Sequence, residues 1–187
     1  MSKRRAFLMD MDKCIGCRSC AMACKNFNQL ESDMVWRQVY PLDEAIYPHH
    51  DRAFLSLACN HCEHPACMDA CPTSSYEKRP DGVVVHHKET CIGCTNCIRS
   101  CPYGAPRFNK AEKHAEKCSM CYERLDVGMQ PACVNACPVG ALTLIDLDAD
   151  PIPDNAVQYP PGFPRMPQLN PGTRFILARE PKQSEGK

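Results

Sequence analysis

Sixteen cysteines fall into four quartets, and thiolates at this spacing are ligands for iron. The first quartet is Cys14, Cys17, Cys20 and Cys24, and the second is Cys59, Cys62, Cys67 and Cys71. The third is Cys91, Cys94, Cys97 and Cys101, and the fourth is Cys118, Cys121, Cys133 and Cys137, with no cysteine left over. Quartets one and three have the C-x2-C-x2-C-x3-C spacing of bacterial ferredoxins. Quartets two and four keep C-x2-C in front and C-x3-C behind, with a longer gap between. Three thiolates two residues apart come from one tight loop and can wrap one face of an iron–sulfur cubane. A fourth, three residues on, has entered a helix and points away, and in two-cluster ferredoxins it serves the other cluster. Four quartets therefore imply four [4Fe–4S] clusters, with all sixteen cysteines as metal ligands.

Two other chemistries pair cysteines. Paired C-x2-C knuckles can hold structural zinc, and quartet four alone would fit such a site. Zinc gives no reason for C-x2-C-x2-C followed by Cys-Pro. A disulfide scaffold is the other case, but it belongs to small secreted chains, and this spacing is that of cluster ligands.

Short elements must position these loops. Pro72, Pro102 and Pro138 follow the fourth cysteine in three quartets, where a missing N–H ends a short helix. Lys25 stands there in the first, so that helix is expected to run on toward Leu30. Gly16 and Gly93 allow a left-handed residue or a close approach of backbone to sulfide. Strands are expected at Arg5–Met11, Met34–Tyr40, Phe54–Leu57, Val83–Val85 and Ala141–Ile145, with a turn at Pro80-Asp81-Gly82. This rhythm is that of an α+β, ferredoxin-like fold. Residues 65–72 (PACMDACP) return as residues 131–138 (PACVNACP), and Cys14-Ile15-Gly16-Cys17 returns as Cys91-Ile92-Gly93-Cys94. Such alternation fits duplication of a two-cluster unit.

The expected organisation is a four-cluster domain at 1–147 and a Pro-rich tail at 148–187. Within the domain, one lobe takes about 5–30 plus 110–147 and a pseudo-symmetric second lobe about 53–109, with an insertion at 26–53. Prolines 151, 153, 160, 161, 164, 167, 171 and 181 give the tail no helical period. Its apolar patch Phe175-Ile176-Leu177-Ala178 suggests an extended arm that docks on a partner. Trp36, the single tryptophan, reads as a packing residue.

Balanced charge, 22 basic against 22 acidic residues, leaves no nucleic-acid footprint. Hydrophobic content of 44% includes the cysteines, so the apolar core is thin and bound metal is expected to hold the fold. No apolar run reaches the roughly 18 residues of a membrane span. Ser2-Lys3-Arg4-Arg5 resembles a twin-arginine signal, but Asp10, Asp12 and Lys13 interrupt the apolar stretch a signal requires. Of His49, His50, His61, His64, His86, His87 and His114, only His61 and His64 lie inside a cysteine loop, where they could hydrogen-bond sulfur. No phosphate loop, nucleotide fingerprint or nucleophile–base pair stands out, so no catalytic residue is assigned.

With Cys59-Asn60-His61-Cys62-Glu63-His64-Pro65-Ala66-Cys67 and Cys101-Pro102-Tyr103-Gly104-Ala105-Pro106, the ordered quartets resemble the iron–sulfur electron-transfer subunits of the DMSO reductase family. Those of DMSO, polysulfide, thiosulfate and tetrathionate reductases are nearest in kind, and the resemblance covers about residues 5 to 147. It implies nested pairing, quartet one with four and two with three. The implied ligand sets are Cys14, Cys17, Cys20 and Cys137; Cys118, Cys121, Cys133 and Cys24; Cys91, Cys94, Cys97 and Cys71; and Cys59, Cys62, Cys67 and Cys101. From spacing alone, sequential pairing of one with two and three with four stays open. Some relatives lack the third ligand of quartet three and hold a three-iron cluster, whereas Cys97 is present here.

The resemblance further implies a molybdopterin catalytic subunit, holding molybdenum or tungsten, as one partner. A separate integral-membrane, quinone-binding subunit is the other. The chain is then a conductor in a respiratory complex, peripheral on the membrane. The periplasmic side is reached by co-export with a partner, and the cytoplasmic side is the alternative. Quartets one and four would face the catalytic subunit, and the cluster of Cys59, Cys62, Cys67 and Cys101 would lie nearest the quinone. Rival readings are the electron-transfer subunit of a formate dehydrogenase or hydrogenase complex and a free multi-cluster ferredoxin.

Overall fold

The structure is a computed structural model that describes residues 3–42 and 53–179. His49, His50, the rest of residues 43–52 and the tail end from 180, Pro181 included, lie outside the described residues. In chain order the elements are β1 (Arg5–Asp10), α1 (Ser19–Phe27), β2 (Gln38–Pro41), β3 (Phe54–Leu57), α2 (Ala66–Asp69), β4 (Tyr76–Lys78), β5 (Val84–His86) and α3 (Asn96–Ser100). There follow β6 (Arg107–Asn109), β7 (His114–Glu116), α4 (Tyr122–Asp126), α5 (Ala132–Asn135), β8 (Leu142–Asp146), β9 (Ala156–Val157) and β10 (Arg174–Ile176). These are the small mixed sheets and few short helices of ferredoxin-like 4Fe–4S domains.

β1 is the central strand because it can be buried on both edges and most of its length. Ala6, Phe7 and Met9 are all buried. β8 pairs with it antiparallel, Phe7 opposite Leu144, and β10 pairs parallel on the other edge, Met9 opposite Phe175. The sheet order is β8-β1-β10-β9. β2–β3, β4–β5 and β6–β7 form separate two-stranded hairpins. The turn before β5 is the expected one: Gly82, at φ 80°, donates its N–H to the Arg79 carbonyl at 2.9 Å.

The helices are too short to stand alone, since isolated helices below about 12–15 residues are marginal. They stand in pairs instead: α1 packs on α5, and α2 packs on α3. α1, free of the proline, runs nine residues, against four or five for the others, and stops at Phe27 before Leu30. α4 occupies the long gap of quartet four.

Two expectations change. The strand over Met34–Tyr40 begins only at Gln38, because Trp36 and Arg37 form a bend that carries Arg37 fully into the interior. The tail patch is not presented to a partner: Phe175 is 0% exposed, and β10 completes the chain's own sheet. An unpaired edge of β1 and an apolar ring needing cover explain why the tail folds back. On its way it crosses quartet two. Glu63 N–H donates to Asn170 O (3.0 Å), His64 N–H to Leu169 O (3.1 Å) and Gly172 N–H to Asn60 O (2.8 Å). The start of the chain is stitched to the same place, Arg4 binding Glu63 at 2.9 Å and the Asn170 carbonyl at 3.0 Å.

Truncation of Phe175 to Ala removes a fully buried ring and should cost about 3–5 kcal/mol. Anaerobic denaturant unfolding of the metal-loaded protein should show a lowered midpoint. An unchanged midpoint would mean that the tail is not part of the fold.

Candidate metal centres

One backbone device recurs in all four cysteine loops. The second residue inside each leading C-x2-C has a left-handed backbone: Gly16 at φ 69°, His61 at 41°, Gly93 at 69° and Met120 at 55°. This conformation turns the residue's N–H back toward the preceding sulfur. His61 N–H reaches Cys59 Sγ at 3.4 Å, and Met120 N–H reaches Cys118 Sγ at 3.3 Å. Glycine takes it without strain. His61 and Met120 carry a cost of order 1–3 kcal/mol each and are held by burial, at 2% and 1% exposure. In quartets one and three a second left-handed residue, Arg18 at 61° and Thr95 at 62°, starts the helix that carries the third cysteine.

The thiols gather as follows. Cys14, Cys17, Cys20 and Cys137 line one cavity, and Cys59, Cys62, Cys67 and Cys101 line another. Cys24 is pushed up to about 12 by burial and by Cys133 and Cys121 beside it. Burial and then Cys24 raise Cys118. Cys97 is raised by burial, with Cys91 and Cys94 close by, and Cys71 packs into the same apolar cluster. Cys17, exposed at the rim, goes the other way and is lowered by the Ser19 hydroxyl and N–H. These are soft, clustered sulfur donors with scarcely any oxygen among them, which fits iron–sulfur cubanes.

The thiol groups also have an order. Cys59 acts on Cys118, and Cys97 acts on Cys67. The group around Cys59 therefore lies between that of Cys118 and that of Cys97. The expectation that put this group at one end of the set is therefore not met, since thiols of two other groups lie beside it. The end opposite Cys14 is the group of Cys71, Cys91, Cys94 and Cys97, where Ile92 is 66% exposed; at quartet two Asn60 and His61 are buried under the tail.

Sequence reading missed two buried cations. Arg37 is 2% exposed, stacks on the Phe7 ring at 4.5 Å and donates from Nη1 to Ser56 Oγ at 3.1 Å. Lys117, 3% exposed, donates from Nζ to the carbonyls of Val84 and Cys118 and lines the Cys59 cavity. The His61 ring, unlike its main-chain N–H, does something other than bind sulfur. His61 Nδ1 accepts from Val84 N–H at 3.0 Å, and burial holds this ring well below its ordinary pKa, hence neutral. Glu112, His114 and Glu116 bring ligand atoms within 4.8 Å of one another, but Glu116 is already bound by His114 (3.2 Å), Asn109 (2.8 Å) and Trp36 (3.3 Å).

Fold and thiol groups together define a protein of the 4Fe–4S class, and comparison with known proteins agrees. Residues 50–147 match the family described as 4Fe-4S dicluster domain, and residues 5–26 match a 4Fe-4S binding domain. The B component of the anaerobic dimethyl sulfoxide reductase of Escherichia coli (strain K12) is 38% identical over 156 residues, covering 79% of this chain and 76% of that one. The arsenate respiratory reductase iron-sulfur subunit ArrB of Shewanella sp. (strain ANA-3) is 30% identical over 193 residues, covering 78% and 82%. The B component of the tetrathionate reductase of Salmonella typhimurium (strain LT2) is 36% identical over 146 residues, covering 77% and 58%. The protein belongs to the iron–sulfur electron-transfer subunits of the DMSO reductase family, and its cofactors are [4Fe–4S] clusters.

The loop device separates two glycines. A Cβ on Gly93 would collide with the Lys113 carbonyl oxygen, whereas one on Gly16 meets the Phe54 ring at 2.6 Å. A ring can swing aside and a backbone carbonyl cannot. Gly93→Ala should therefore lower the iron-to-protein ratio clearly and Gly16→Ala less, by colorimetric iron assay after anaerobic purification. Equal ratios for the two variants would contradict this account of the loops.

Proposed function

We propose that this chain holds four [4Fe–4S] clusters in a row and relays electrons between a membrane quinone-reactive subunit and a molybdopterin catalytic subunit. When bound, the clusters take up and pass on single electrons within a family range of roughly −700 to +450 mV. The observation that carries the reading is the nested gathering of thiols from quartets one and four and from quartets two and three. Assigned accordingly, Cys14, Cys17, Cys20 and Cys137 hold the first cluster and Cys24, Cys118, Cys121 and Cys133 the second. Cys59, Cys62, Cys67 and Cys101 hold the third, and Cys71, Cys91, Cys94 and Cys97 the fourth. Two pseudo-symmetric lobes are then tied by one strap, the returning tail.

The rest of the chain keeps these sites dry and sets their electrostatics. The N–H groups of Ser19, His61, Ser75 and Met120 are directed at Cys17, Cys59, Cys71 and Cys118. Ile15 and Val139 stand exposed at the rim of the Cys14 cavity, an apolar surface suited to a partner, and we assign it to the catalytic subunit. The Ile92 end is assigned to the membrane subunit. Among the described residues no helix is long and apolar enough to cross a membrane, which suits a peripheral position. We place it on the periplasmic face, reached together with a partner.

Anaerobically purified protein should contain about sixteen irons and sixteen acid-labile sulfides per chain. Stoichiometric zinc with little iron would sink the proposal, and elution as a lone small protein would favour a free carrier.

The order of the thiol groups, with the ends assigned as above, gives a polarity that can be tested. In the assembled complex, with the remaining clusters and the molybdenum cofactor verified, Cys94→Ser should abolish most quinol-driven turnover. Turnover driven by a small dye donating near the catalytic subunit should largely survive. Equal loss of both activities would show that the assigned direction is wrong.

A further inference from the structure

Arg37 is a fully buried charge with no carboxylate partner among the described residues. A guanidinium stays protonated in proteins, and an uncompensated buried charge is among the costliest features a fold can carry. Its Nη1 is used by the Ser56 hydroxyl, while Nε and Nη2 are buried without a hydrogen-bond partner. Phe7 closes one face of the plane. Ser56 Oγ in turn lies 3.3 Å from Cys20 Sγ. The thiols acting on the guanidinium are, in order, Cys133, Cys118, Cys20 and Cys24. Three of these belong to the second proposed cluster and one to the first.

Lys117 is the instructive contrast. It too is buried beside cysteines, but its ammonium is spent on two carbonyls. Arg37 keeps two donors in hand, and the anionic chemistry around it, among the described residues, is sulfur.

We propose that Arg37 is a potential-setting residue at the junction of the first two clusters, its free Nε–H and Nη2–H donating to their sulfur atoms and its charge favouring the reduced state, chiefly of the cluster on Cys24, Cys118, Cys121 and Cys133. The inference rests on the four-cluster reading above. Hydrogen bonds to sulfur and net charge are two of the levers that set cluster potentials, and both act in the same direction here, because reduction adds negative charge beside a fixed cation. Ser56 positions the fork by holding Nη1, leaving Nε and Nη2 without a partner among the described residues. The bend at Trp36 and Arg37, which shortens the expected strand, is the backbone's contribution.

The test uses the whole reductase complex, in wild-type form and with Arg37→Gln and Arg37→Lys. Iron and sulfide are counted first, then each cluster is titrated anaerobically by EPR. Full iron is expected in all three. Arg37→Gln should shift one cluster's redox equilibrium at least tenfold toward the oxidised form, a fall of about 59 mV for a one-electron couple. Arg37→Lys, which keeps the charge, should shift it by less than half as much. Unchanged potentials in fully loaded Arg37→Gln would overturn the proposal, as would equal shifts in Gln and Lys, which would indicate lost packing. An iron count short of four clusters in the wild type takes down the four-cluster reading and this inference with it. If Arg37→Gln does not assemble, pulsed EPR of complex grown with guanidinium-15N arginine decides. A 15N coupling to a reduced cluster should be present in the wild type and absent in Arg37→Lys, and identical spectra would refute the contact.

Discussion

Sulfur taken out of water is the constraint on which the rest of this structure depends. Cys20, Cys59, Cys118 and Cys133 belong to the hydrophobic core as fully as Phe7 and Leu142 do. Burial, then neighbouring thiols, pushes Cys24 and Cys67 up to about 12. Thiolates in such places are tolerable only when a metal takes their charge, so cluster binding and folding are one equilibrium. This is why α2, α3 and α5 can be only four or five residues long: each carries a cysteine and is pressed on a partner helix. It also explains how a chain with 44% hydrophobic residues, many of them cysteine, folds around several separate sites.

What could be read from the sequence was whatever depends on near neighbours. β3 falls on Phe54–Leu57 as the propensities indicate, and β1, β5 and β8 lie within a residue of expectation. The proline after the fourth cysteine marks the short helices, and its absence marks the long one. What could not be read depends on distant partners. Phe175 looks like a docking patch until β1 is seen to need a strand on its second edge. Arg37 looks like a polar residue of a strand until the cysteines around it appear. His61 and Met120 hide the left-handed position that Gly16 and Gly93 reveal. Only the register of the four loops, second residue against second residue, points to them.

The returning tail has a mechanical role that its composition conceals. Arg4, Glu63 and Asn170 knot the start of the chain, the loop of quartet two and the tail at one place. Gly172 lies so close to the Asn60 carbonyl that a Cβ would meet it at 2.9 Å. Tyr103, just after quartet three, stacks on Phe163 of the tail at 4.9 Å, and Phe163 in turn meets Phe175 at 5.4 Å. The two helix pairs are thereby tied through one sheet and one strap. A relay needs its centres at fixed separations, and local loops alone cannot set the separation of α1–α5 from α2–α3.

The chain repeats one cysteine loop four times, and the departures from exact repetition go with how deeply each loop lies. Quartets one and three keep glycine at the left-handed position and an isoleucine before it that faces solvent, Ile15 at 60% and Ile92 at 66% exposure. Quartets two and four replace that glycine with His61 and Met120, whose side chains are core. A loop that keeps glycine has no side chain there to bury and can lie at the surface. A loop that accepts backbone strain must recover it by packing, and so must lie inside. The same local geometry thus yields two outer sites and two inner ones. In the four-cluster row proposed above, the outer pair, around Cys14 and Cys91, would be its ends and the pair around Cys59 and Cys118 its middle. The identity of one residue per loop is what distinguishes an outer loop from an inner one.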